Sequence, residues 1–164
     1  LIWLLFVLNG LAIAISDFFT FRIPNMAIII LLGLFGVAAG WAAVHHVPVP
    51  WLDHVAAGAL SLAAGLLLYG YHQMGAGDAK LLAVMALWAG LSRLLPLLFA
   101  WAVSALVVLA LILLARRLVA ARPIWENSKV PRVLRRRESI PYGLGIVLGA
   151  IMVSGAFPSW LWSV

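Results

Sequence analysis

The sequence has no cysteine. That excludes disulfides, thiolate metal sites and a cysteine nucleophile, and says little about compartment. Charge is scarce too: Asp, Glu, Lys and Arg make up 10% of the 164 residues. Only Asp17, Asp53, Asp78, Glu126 and Glu138 are acidic. The alternation of lipid-facing and lumen-facing residues that marks a membrane β-barrel, in segments of about ten residues, is also missing. No internal repeat is visible. No small-residue cleavage site follows the first apolar run, so residues 1–16 are read as a helix and not as a signal-peptide core. The chain does not begin with Met, and this helix is expected to be slightly trimmed at its N-terminus.

What is present is apolar surface. Hydrophobic residues make up 66% of the chain, in runs that each approach the roughly 20 residues needed to cross a bilayer. The pattern predicts an all-α membrane protein, one bundle of about six transmembrane helices occupying residues 1–164 as a single domain. The predicted spans are 1–16, 26–44, 54–71, 79–91, 94–115 and 141–162. The fourth is short and rich in Ala and Gly, and is expected to tilt or to sit in thinner membrane.

The cations set the orientation. Between 116 and 140 lie Arg116, Arg117, Arg122, Lys129, Arg132, Arg135, Arg136 and Arg137 against Glu126 and Glu138, a net +6 equal to that of the whole chain. The positive-inside rule makes this basic loop cytoplasmic. Counting back through the spans puts 17–25 and 72–78 on the same side, with 45–53, 92–93 and both termini outside. Asp17 and Asp78 thus share the cytoplasmic side by parity alone.

Asp17 opens Asp-Phe-Phe-Thr-Phe-Arg-Ile-Pro-Asn. Pro24 cannot donate a backbone hydrogen bond and pushes Ile23 out of helical geometry, so a helix is expected to end near Asp17. Asp17 and Arg22 could simply be solvated boundary charges. Asp78 lies in Met74-Gly75-Ala76-Gly77-Asp78-Ala79-Lys80, with no long polar loop around it. It could be an N-cap for the fourth span. The two glycines allow φ > 0 and close approach, including that of an extended substrate backbone. They do not complete a phosphate-binding loop, which needs a longer spacing and a preceding strand. Acids within a membrane are functional hypotheses by default. On spacing alone, a two-carboxylate site and a pair of capping charges both stay open.

The segment Asp17, Arg22, Ile23, Pro24, Asn25 resembles the first signature of the type IV prepilin peptidases. Met74–Leu82 is similar to their Gly-x-Gly-Asp signature, including Lys80 two residues on. Pro141, Tyr142 and Gly143 resemble the stretch that opens their last helix, although longer members often continue with Pro where this chain has Leu144. The resemblance implies an aspartic-type intramembrane endopeptidase of the bacterial plasma membrane, with Asp17 and Asp78 catalytic. Arg22, Pro24, Asn25, Gly75, Gly77, Lys80, Pro141, Tyr142 and Gly143 would support the site. The implied substrates are pilin-like precursors with a short basic leader, cut at the cytoplasmic face. Longer members carry a cysteine-bearing cytoplasmic domain and also N-methylate the product. This chain looks like the short peptidases of tight-adherence or Flp-type pilus systems, for which methylation is not implied.

The chemistry suits the residues. Two close carboxylates do not both ionise easily, so one polarises the scissile carbonyl while the other activates water. No metal or other cofactor is needed. His45, His46, Asp53 and His54 lack a recognised ligand spacing and are read as interfacial side chains. Trp160 and Trp162 are read as interfacial anchors. Lys80 is given a structural role, pairing with a carboxylate or a lipid phosphate. The basic loop is expected to attract anionic lipid; no nucleic-acid partner is expected. The rival reading is a non-enzymatic transporter subunit or pilus-assembly scaffold. A transporter of the common type should show a repeat and a midplane polar site.

Overall fold

The computed structural model describes residues 1–120, 133, 141–155 and 157–162. Six α-helices follow in order: α1 (Ile2–Thr20), α2 (Asn25–Val44), α3 (Trp51–Gly70), α4 (Ala76–Ala89), α5 (Leu94–Ala120) and α6 (Tyr142–Ser154). Short 3₁₀ turns lie at Leu91–Arg93 and Ser159–Trp162. Four stretches, Ile2–Thr20, Asn25–Val44, Trp51–Gly70 and Leu91–Leu118, are long and apolar enough to cross a membrane. The fold is an all-α membrane-type bundle. Of the predicted basic loop, Arg116 and Arg117 lie within α5, near its end at Ala120; the cations from Arg122 to Arg137, with Glu126 and Glu138, lie outside the described residues.

Proline punctuates the chain. Pro24, Pro50 and Pro141 each stand immediately before a helix, α2, α3 and α6. Pro96 sits in the first turn of α5, where a missing N–H costs no intrahelical bond. α1 runs past Asp17 to Thr20, one turn further than predicted. It stops because Phe21 turns left-handed (φ 53°), with its N–H bonded to the Asp17 carbonyl at 2.9 Å. Positive φ is costly for a bulky residue. Here Phe21 is held by packing against Val108, Ile112 and Val133.

α4 is the hub. At 14 residues it is about 21 Å long, short for a bilayer. Nine of those residues are buried, among them Leu81, Met85 and Trp88, so protein and not lipid surrounds most of it. α6, 13 residues long, is short as well, a feature not predicted. Small residues bring these helices close, as is common in membranes. A Cβ on Gly65 of α3 would stand 2.8 Å from that of Ala79, and one on Gly149 of α6 would stand 2.5 Å from the Trp101 backbone nitrogen.

Away from the acids, α4 ends in an aromatic core. Trp88 packs on Phe6 (4.8 Å between ring centroids) and Phe35 (5.7 Å), and Phe35 on Trp160 (5.8 Å). Trp160 is buried. It is therefore a core residue and not the predicted interfacial anchor, because the 3₁₀ turn after α6 folds back against α2. The side chain of Trp162 lies outside the described residues.

Candidate active site

Asp17 lies in the last turn but one of α1, and Asp78 in the first turn of α4. The two helices meet through α6, which packs on both. Asp17 is buried, at 4% exposure, so the solvated-charge reading does not hold. The two carboxylates lie within electrostatic range of each other.

The start of α6 supplies their hydrogen-bond donors. The N–H of Leu144 donates to Asp17 Oδ2 at 3.0 Å. The N–H of Gly143 lies within reach of both carboxylates. These are first-turn amides with no partner inside their own helix, and the positive end of the helix dipole favours an anion there. Gly143 is required on steric grounds: a Cβ would fall 2.9 Å from Asp17 Oδ2 and 2.8 Å from Ile23 Cδ1. A proline at 144 would have no N–H to give to Asp17.

Asp78 is not an N-cap. Gly75 caps α4 and Asp78 is its third helical residue. Its carboxylate reaches back to the Gly75 N–H, one half of a capping box. A Cβ on Gly75 would meet Asp78 Oδ2 at 2.7 Å, and one on Gly77 would meet Ile23 Cβ at 3.3 Å. Neither glycine has positive φ; among the described glycines only Gly90 does. The expectation of φ > 0 is thus corrected. What these glycines leave room for, where a Cβ would stand, is the protein's own Asp78 and Ile23.

The other predicted site residues divide. Pro24 sets the start of α2, and Asn25 is its first residue. Asn25 Oδ1 accepts from Lys80 Nζ at 3.4 Å, tying α2 to α4. Pro141 is buried beside the acids as the N-cap of α6, whereas Tyr142 is 40% exposed. The Arg22 side chain is exposed, and its carbonyl accepts from Ser16 Oγ at 2.9 Å. Ile23, quoted only as part of a motif, proves to be the side chain that packs against both Gly77 and Gly143. Leu144 contributes a backbone N–H, which no residue type advertises.

Among the described residues, no three His, Asp, Glu or Cys side chains gather closely enough to hold a metal ion. His45 is exposed, stacked on Trp41 at 4.2 Å. His54 is fully buried, with Nδ1 2.7 Å from the Leu87 carbonyl, so the interfacial reading fails for it. Asp53 accepts from the Ser92 N–H at 3.1 Å, and its other oxygen fills the space where Gly90 (φ 76°) has no side chain.

The type IV leader peptidase family matches residues 3–112 by its sequence profile. The chain belongs to that family. The matched stretch contains both Asp17 and Asp78 and stops short of α6. No curated protein and no solved structure matches the chain. The chain is thus a membrane protein and a protease of the leader-peptidase kind; of these two acids in the matched stretch, Asp17 is buried and Asp78 half-buried.

Proposed function

We propose that the peptidase is an aspartic-type endopeptidase that removes the leader from pilin-like precursors of the Flp or tight-adherence type. The observation that carries this reading is the meeting of Asp17 and Asp78 at the start of α6, with the Gly143 N–H in reach of both. One carboxyl stays protonated and donates a hydrogen bond to the scissile carbonyl oxygen. The other takes a proton from water, whose oxygen attacks the carbonyl carbon. Collapse of the tetrahedral intermediate breaks the C–N bond, and a carboxyl proton passes to the leaving amine. Coupled acids titrate as a pair, so neither role belongs to one residue. Asp17, Asp78, Gly75 and Gly143 form the reacting centre and its support. Pro24, Asn25 and Pro141 set the helix starts around it.

The site faces the cytoplasm of the bacterial plasma membrane. Support comes from α5, whose C-terminal half packs near Phe18 and Phe21, so that Arg116 and Arg117 emerge at the acids' end. The positive-inside rule makes that end cytoplasmic.

Two experiments test the reading. Co-expression with candidate pilin precursors should yield leader-free product, dependent on both acids; an unprocessed panel would leave the substrate class wrong. Single cysteines, clean reporters in a cysteine-free chain, should label at Ser128 from the cytoplasmic side and at Val47 from outside. The reverse pattern would overturn the orientation.

A further inference from the structure

On the face of α4 turned away from the acids there is a slot. α2 and α3 both pack on α4 but hardly on each other, and between them they leave a groove of about 430 Å³. Ile28 and Leu32 form one wall, Ala59 and Leu62 the other, and Val84 and Leu87 the floor. Its lining holds one charged side chain, Lys80, in the turn of α4 that also holds Asp78.

Lys80 and Asp78 are two residues apart, hence about 200° apart around the helix. Asp78 turns to Gly143 of α6, whereas Lys80 turns to Asn25 of α2. The groove is therefore not a continuation of the acid site, and a peptide lying in it would not present a bond to the two carboxylates. From Lys80 to Leu87 is about 10 Å along α4. Over that length the slot is open on its outer side and, beyond Lys80, lined by apolar side chains, which suits an acyl chain.

We propose that this groove is a phospholipid site, in which one acyl chain lies along Val84 and Leu87 and the phosphate sits at the Lys80 ammonium. The chemistry matches at each end. The walls offer only apolar contact, and the one cation stands at the acid-bearing end of α4, where a headgroup phosphate would lie. An ammonium near a membrane surface prefers an anionic headgroup to a zwitterionic one. Lys80 then does two jobs at once: it ties α4 to Asn25 of α2 and holds a lipid that wedges α2 from α3. The inference does not depend on peptide cleavage.

The test uses the full chain in neutral-lipid nanodiscs doped with phosphatidylglycerol or phosphatidylcholine carrying a photoreactive group in the acyl chain. Labelled peptides are mapped by mass spectrometry. In the unaltered protein, the phosphatidylglycerol probe should label α2, α3 and α4 around the groove about fivefold more than the phosphatidylcholine probe, the worth of one cation at a membrane surface. Lys80→Gln should abolish that preference in the groove and leave labelling of the exposed α5 face unchanged. Lys80→Arg, which keeps the charge, should retain it. Ala59→Trp, which fills the slot, should remove labelling there by both probes. Even labelling of the groove and the α5 face, or a preference that survives Lys80→Gln or is lost in Lys80→Arg, would overturn the proposal. So would displacement of the lipid by the apolar segment of a pilin precursor, which would make the groove a substrate site.

Discussion

The two ends of α4 bury polar side chains in opposite ways. Near one end, Asp78 meets Asp17 under amides of α6. About 18 Å along the helix, Asp53 and His54 of α3 meet the other end. Asp53 is bonded to Ser92, and His54 reaches the Leu87 carbonyl and packs between Phe35 and Trp160. Asp53 and His54 Nδ1 are each held by backbone at the far end of α4 or just after it, and among the described residues no second acid faces Asp53 there. At the first end, two carboxyl groups are brought together, and they do not both ionise easily, an arrangement with no benefit to stability. Burial alone therefore does not single out the proposed catalytic acids. What sets them apart is an acid facing another acid, with backbone donors beside them.

The comparison breaks most sharply by removing one acid. Asp17→Asn and Asp78→Asn should each lower precursor cleavage by about 10³-fold or more, within the range of lost general acid–base catalysis. Membrane insertion and protein level should stay near normal. The double variant should be no worse than either single one, since such residues act as a unit. Asp53→Asn should cleave normally; a defect there equal to the other two would erase the distinction between the ends.

Next in size is a change to the donors. Gly143→Val should push the Asp17 carboxylate aside and cost about 10²-fold in cleavage, the scale of an ångström-sized misplacement. Circular dichroism and detergent melting of the purified variant check that the bundle persists. Full activity in Gly143→Val would show that the shared amide does not matter.

At the other end the expected effect is on stability. Asp53→Ala removes the cap on the Leu91–Arg93 turn and should lower stability by about 1 kcal/mol, read as a lower melting temperature with cleavage intact. The smallest effect expected is none. Stripping the purified peptidase with a chelator should leave cleavage unchanged. Activity that is lost and then restored by zinc would move the chemistry to a metal and away from the paired acids.

Much of the framework was legible in the chain itself. Uninterrupted apolar runs had to become membrane helices, because only helices satisfy their own backbone within lipid without a closed sheet. Pro24 and Pro141 announced where helices begin, since proline lacks the N–H that a helix interior needs, whereas α3 starts right after Pro50, three residues before the predicted 54. Span parity put Asp17 and Asp78 on one side, and their packing on α6 keeps them there. Other features were decided by packing. The donors to the acids are backbone amides of Gly143 and Leu144, and nearly every residue has such an amide. Whether one points at a carboxylate depends on where α6 starts relative to α1 and α4. In the same way Gly75 and Gly77 read as flexible in sequence but serve as room for Asp78 and Ile23. Trp160 and His54 read as boundary residues but were drawn into the aromatic core. Composition and period fix what a segment becomes; which atoms then face each other is set by how closely the helices pack, and that distance depends on both partners at once.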